Sequence, residues 1–439
     1  MACAPLATPA ELKLIQASAN GEIIDFSAID PAANNPADGA RWPADRTLTA
    51  AFVRTLVTRA NPEWTLRNNG VRIVGARIAG ELNLAETDLD FPIAFVRCSF
   101  EHALSLRGAS VDSVFLGGSE LPGIDACDLH AHGDIQLCDS FRARGTLRFD
   151  RAAIGGNFSC NGAILDSAGG FALTANDAVI RGHALFCNGL RTAGEVTLRR
   201  AQIGGMLYCS HARFDNPDGI ALAADEAAFG GPVIMNTNFV ALGKVSIDRA
   251  RLRRDLYCAH GSFRNPGADA LSLNGAEIGR RAFLGEWFSA KGAVCLCNAR
   301  IAGDLYCVGG IFQNPGGNAL CANRLDVGGN VRMHSRFLAQ GAVCITDATI
   351  AGALNCSGAH FENAGGIALS AARSHIGRDA VLGSGFRAAG IIDFTSITIG
   401  AALETEGATY EQLITEGASI AQYPPFSQRL SRPTMYLTE

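Results

Sequence analysis

The chain has 439 residues, 48% of them apolar and only 18% charged, with 50 glycines and a formal net charge of −5. That apolar share is enough to bury a large core, and the mild charge excludes a chain built around a uniformly basic or strongly acidic surface. No run of 18 apolar residues is present to span a bilayer as a helix, and the opening "MACAPLATPAELKLIQ" lacks the basic and apolar regions of a secretory leader. The expected location is the cytoplasm, and the 14 cysteines, spread without short paired spacings, are expected to be reduced thiols.

The first predicted element starts at "TPAE", Thr8 to Glu11, which has the form of a capping box with proline at the first helical position. A second helix is expected where Leu48, Ala51, Phe52 and Leu56 form one apolar stripe. Residues 1–70 are therefore read as a small helical cap. From Ala76, "ARIAGELNL", and from Val96, "VRCSFEHALSLRGASV", the apolar residues fall on a five-residue beat.

Further on the beat lengthens. Cys160, Cys209, Cys258, Cys307 and Cys356 are each 49 residues apart, and their surroundings repeat with them. Each is preceded by a turn such as "IGG" at Ile154 or "IAG" at Ile301. After most of them come "FDNPDG" at Phe214, "FRNPGA" at Phe263, "FQNPGG" at Phe312 and "FENAGG" at Phe361. Asn-Pro-Gly is turn chemistry, because proline fixes one torsion and glycine accepts positive φ. Within a unit, apolar residues come in pairs two apart, among them Val245 with Ile247, Leu256 with Cys258 and Leu271 with Leu273, which predicts short strands with alternate side chains inward. Eight such faces per 49 residues make two four-sided coils, so residues 71–410 are expected to hold about 14 coils, each rising roughly 4.8 Å. The helices of 1–70 would cover the strand edges that a solenoid leaves open at its end, and residues 411–439 leave the pattern and are read as a second cap or a tail.

These faces resemble those of pentapeptide-repeat proteins, in which a small residue, a spacer and a large central apolar residue recur every five positions. The resemblance covers most of the chain and implies an all-β fold, a right-handed quadrilateral parallel β-helix, while saying little about function. A narrower resemblance rests on "RWPADRTLTAAFVRTLV" and on "YEQL" at Tyr410 to Leu413. These are similar to a bacterial group labelled membrane-associated oxidoreductase, whose members continue into a basic segment and membrane helices. It implies membrane association through a partner or a further C-terminal segment. No GxGxxG between strand and helix, and no flavin or haem motif, accompanies the oxidoreductase label.

Three constellations are candidates for chemistry. The cysteines on the 49-residue beat alternate along one face with Phe186, Met235, Leu284, Met333 and Leu382. Small and large side chains alternating in a narrow tube are a packing arrangement, so these thiols are read as core. Cys295, Cys321 and Cys344 each precede a central residue and should lie outside on one face in three successive coils, with Cys297 beside them. Four outward thiols are the one candidate metal or redox site, although strands laid flat hold them in a row and not in a tetrahedron. Arg151, Asp177, Arg200, Glu226 and Arg249 fall on equivalent outward corners, as do Asp255, Arg281 and Asp304. Alternating signs make a charge ladder and leave no basic stripe for nucleic acid.

The function expected is a non-catalytic scaffold presenting a rigid surface for protein–protein contacts. Its partner would be another protein, a second copy of the chain or a membrane-linked assembly, with no cofactor and no direct nucleic-acid binding. Two alternatives stand beside it: a duplex-DNA mimic that binds a topoisomerase, which needs an acidic surface, and a thiol redox or metal-binding protein resting on Cys295, Cys297, Cys321 and Cys344.

Overall fold

The computed structural model describes residues 7–422, save the side chain of Ala168. The chain is mostly parallel β and winds into a β-solenoid of about 15 turns. Two compact units share it, one made of the residues up to Tyr208 with Ala212–Asp215, the other of Cys209–His211 with the residues from Asn216 onward.

In the first unit, α1 (Pro9–Asn20) starts at the expected capping box: the Glu11 amide donates to Thr8 Oγ1 at 3.2 Å, and the Thr8 amide to Glu11 Oε2 at 2.9 Å. Gly21, at φ 73°, ends it. The second helix, α2 (Ala50–Val57), differs from the predicted stripe, because Ala51 faces solvent and the buried face is Phe52, Val53, Leu56 and Val57. Leu48 is buried too, but on a strand, Thr47–Thr49, which pairs in parallel with Arg77–Ala79. Ile24–Asp25 likewise pairs with Ile73–Val74. The N-terminal segment thus covers the first coil with strands as well as helices, satisfying the edge hydrogen bonds that helices alone would leave open. Arg46 ties it down: Nε and Nη2 donate to the Gly75 carbonyl at 3.0 and 2.8 Å, and the guanidinium lies 3.9 Å from the Trp42 ring centroid.

The coils of this unit follow from paired inward residues. Val71, Ile93, Val114, Ile135, Phe158, Ala184 and Leu207 stack in register at intervals of 21 to 26 residues, the shortest falling where the five-residue beat is strictest.

In the second unit the coils before Thr398 have three strands each. One coil is Arg251–Leu252, Leu256–Tyr257 and Ser262–Ser272, and the next is Glu277–Ile278, Ala282–Phe283 and Ser289–Cys295. The third strand bends and serves two sides, which gives four sides from three strands. Leu252, Ile278, Ile301, Val327, Ile350, Ile376 and Ile399 succeed one another at alternating intervals of 26 and 23 residues, and these add to the 49-residue beat.

The extra residues of the longer coils are the Asn-Pro-Gly or Asn-Ala-Gly segments. They do not end a strand as turn chemistry predicts. Each is a bulge inside an 11-residue strand, as in Ser262–Ser272, where pairing skips from Arg264 to Asp269. The asparagine closes the bulge: Asn265 Nδ2 donates to the Asp269 carbonyl at 2.8 Å, and Asn314 and Asn363 do the same to Asn318 and Ile367. Parallel pairing also runs on past Tyr410, through Thr409–Ile414 and Ser419–Gln422, so the coil ladder outlasts the sequence pattern that marks it. Its inward residues there, Leu413 and Ile420, are only half-buried, which is why the beat fades. Residues 423–439, the rest of the expected cap or tail, lie outside the described residues.

The core of the second unit is a ladder of rings. Phe239, Phe263, Phe288, Phe312, Phe337, Phe361 and Phe386 follow one another with centroids 5.1–5.4 Å apart. In-register positions of the coil between are small: Phe263 and Phe312 both pair with Ala290.

Candidate functional site

The column of periodic cysteines lies in the wall. Cys160, Cys258, Cys307 and Cys356 are fully buried, and burial pushes each thiol far above the usual range, so none is available as a nucleophile or ligand. The reason for their spacing is more specific than alternation along the stack. In each coil the residue of this column shares its side with a second inward residue, and a large one is set beside a small one in Leu256 with Cys258, Ala282 with Leu284, Leu305 with Cys307 and Leu354 with Cys356, while Val331 with Met333 fills its side with two larger residues. Leu116 and Leu137 stand in consecutive coils at one register, both buried, so bulky residues do stack where the coil is shaped for them.

The four thiols fall in the predicted row, with Cys295 in register with Cys321 and Cys321 with Cys344, but Cys295 is buried and not outward as expected, while the other three are half-buried. Only two of the four thiols come together. Cys297 Sγ lies 3.0 Å from Cys321 Sγ and 3.6 Å from the Cys321 carbonyl oxygen. Cys295 turns away to donate to Asp269 Oδ1 at 3.4 Å, and Cys344 to Asn318 Oδ1 at 3.6 Å. Burial, followed by the thiol of Cys297, pushes Cys321 up to about 12, and burial raises Cys295 and Cys344 as well. Among the described residues no group of three or more His, Cys, Asp or Glu side chains is placed to hold a metal ion. The arrangement is that of a dithiol.

The charge ladder is built at corners. Asp128, Arg151, Asp177 and Arg200 in the first unit, and Glu226 and Arg249 in the second, all have left-handed backbones with φ between 55° and 60°. Side chains at that geometry reach the next coil: Arg151 meets Asp128, Arg200 meets Asp177, and Arg249 meets Glu226, each at 2.7 Å. Arg281 meets Asp255 at 3.0 Å, whereas Asp304 pairs with Arg332 at 3.1 Å. These arginines are neutralised by their neighbours and present no basic stripe.

Two features of the second unit are not in the sequence reading. Tyr257, Phe283 and Tyr306 stack face to face on the outside of successive coils, with centroids 4.9 and 4.8 Å apart. Arg281 sits over Phe283 and Arg332 over Tyr306, each 5.2 Å from the ring centroid. In the same coil as Phe283, Trp287 occupies a corner at φ 68° and is 68% exposed. The clue was available, since the positions 49 residues to either side are Asn238 and Arg336, also left-handed at φ 59° and 70°. Tryptophan is out of place in that series.

The first unit carries a surface groove of about 620 Å³ lined by Asp134, Gln136, Asp139, Ser140, Asn161 and Asn188 among others. Its floor is satisfied internally, with the Asn157 amide on Asp134 Oδ1 at 2.7 Å and Cys138 Sγ on Ser159 Oγ at 3.1 Å. His334 Nδ1 lies 2.9 Å from Ser335 Oγ on an exposed corner, and among the described residues no carboxylate is hydrogen-bonded to the ring as a hydrolytic triad requires. Among the described residues no helix is long and apolar enough to cross a membrane.

The stacked parallel coils are consistent with a pentapeptide-repeat-like β-helix. Compared with known proteins, the chain matches no family model, no curated protein and no solved structure, so no family name supports the oxidoreductase label.

Proposed function

We propose that this chain is a non-catalytic scaffold whose coils hold outward side chains in fixed rows for contact with a protein partner. The observation that carries this reading is Trp287. A bulky residue in the left-handed region costs roughly 1–2 kcal/mol, and a side chain 68% exposed recovers little of that through burial in its own fold. Exposed tryptophans are the anchors of protein interfaces, because they bury a large area at small entropic cost. The Tyr257–Phe283–Tyr306 stack of the same unit supplies a rigid outer surface. Paired corners such as Arg249 with Glu226 favour this reading over a duplex mimic, which needs unpaired acidic rows.

The test is capture of partners by the immobilised full chain, comparing wild type with Trp287→Ala. Loss of one hot-spot tryptophan costs about 2 kcal/mol or more, so the main captured protein should bind the variant at least about thirtyfold more weakly. Equal capture by the two proteins, or none above background, overturns the proposal.

A further inference from the structure

Elsewhere along the row that holds Cys321, one rung recurs. A hydroxyl on the long strand donates to a carboxylate at the corner of the coil before it, 24 residues earlier. Ser272 Oγ donates to Asp248 Oδ1 at 2.6 Å, and in the first unit Thr174 Oγ1 donates to Asp150 Oδ2 at 2.7 Å. Cys321 and Cys297 stand 49 residues on from Ser272 and Asp248, in the places of that hydroxyl and that acid. The coil therefore replaces both members of a polar rung with thiols. A structural rung needs one donor and one strong acceptor, and two thiols supply neither well. What two thiols 3.0 Å apart do supply is the approach to a bond: a disulfide has sulfurs about 2 Å apart, and Cys297, two residues beyond the register partner of Cys321, reaches it with a shift of its corner.

We propose that Cys297 and Cys321 are a redox modification site, closing to a disulfide between adjacent coils when the protein meets a low-molecular-weight disulfide such as oxidised glutathione. One protein thiolate attacks a sulfur of the small disulfide, forming a mixed disulfide and releasing one small thiol. The second protein thiolate then attacks the mixed disulfide and releases the other. Two protein thiols are oxidised, one disulfide is reduced to two thiols, and the two protons pass to those products. Both residues are only half-buried, which leaves them open to a small oxidant. Cys295 and Cys344 share the row but are held by Asp269 and Asn318, which makes the closure specific to one pair.

The surroundings set its pace. Burial and the thiols of Cys297 and Cys344 hold the Cys321 proton on, against the Asn323 amide, which favours the thiolate. Closure is thus slow at neutral pH and accelerates by up to about tenfold per pH unit as the solution becomes alkaline.

The test uses the full chain, folded, treated with oxidised glutathione, blocked by alkylation, digested and read by mass spectrometry. The expected product is a linked peptide pair joining Cys297 to Cys321 and a free-thiol count two lower than before. Cys344→Ser should leave the link intact and Cys321→Ser should abolish it. The double variant Cys297→Asp/Cys321→Ser restores the polar rung and should fold, by circular dichroism, while resisting the oxidant. No link in the folded wild type, a link that runs instead to Cys295 or Cys344, or one formed only in denaturant overturns the proposal.

Discussion

Cys307 illustrates what a period can and cannot say. Its 49-residue beat shows that it belongs to the wall and the two-apart pattern puts Leu305 on the same side, while the structure adds that both are fully buried there and divide one volume. Cys307→Ala removes only a buried thiol and should cost about 1 kcal/mol, whereas Cys307→Leu should overpack the coil by about 1–3 kcal/mol. Leu305→Ala combined with Cys307→Leu copies the Ala282–Leu284 pair of the preceding coil, and should recover most of that loss in urea denaturation. If the double variant is no better than Cys307→Leu, the constraint is the stack between coils and not the pair within one. The thiol row was legible at the same level, because alternation fixes which side chains point outward. The 3.0 Å contact of Cys297 with Cys321 was not, since it depends on rotamers at a corner. Trp287 was not legible there, because periodicity registers what recurs and Trp287 is a single departure from it.

At the scale of strands, the Asn-Pro-Gly segments are correctly seen as sharp local bends and wrongly seen as strand ends. Turn and bulge use the same chemistry, and only the pairing of Phe263 with Ala290 and Leu271 with Val294 on either side distinguishes them. The partner strand shows the cost of the bulge. Gly292, at φ 116°, lies beneath it, where a Cβ would come within 2.3 Å of the Asn265 carbonyl oxygen and 2.6 Å of that of Ala268. Gly341 and Gly390 repeat the geometry beneath the next two bulges. Gly292→Ala meets both a forbidden torsion and a backbone oxygen that cannot move without opening the Asn265 closure, and should destabilise the second unit by about 2–4 kcal/mol. Gly267, at φ 78° on the bulge itself with nothing within 4 Å of its Cβ position, is the control. Alanine there meets the torsional strain alone and should cost less. Equal losses at the two positions, measured by thermal unfolding, would mean that space beneath the bulge is not what demands glycine.

Over the whole molecule, regular coils turn a modest corner contact into a repeated one, and this has a consequence for pH. Hydrogen bonds from Arg151, Arg200 and Arg373 hold the carboxyls of Asp128, Asp177 and Asp347 below the usual value of 3.8. A carboxylate more acidic in the folded chain than in the unfolded one contributes stability above its unfolded pKa, and loses it as pH falls through the folded value. The ladder should therefore be fully effective above about pH 4 and fail progressively below it, with each pair small because it is exposed. The triple variant Asp128→Asn, Asp177→Asn and Asp347→Asn removes the titrating member of three rungs while keeping side-chain size. It should be slightly less stable than wild type at pH 7, and its urea midpoint should fall less steeply between pH 4 and pH 2. Added salt should reduce the difference at pH 7, since exposed pairs are screened within about 10 Å at 0.1 M. Equal acid sensitivity in the two proteins would mean that the corner charges only accompany the coil geometry, and that the left-handed backbone, not the ion pair, selects arginine and aspartate at those positions.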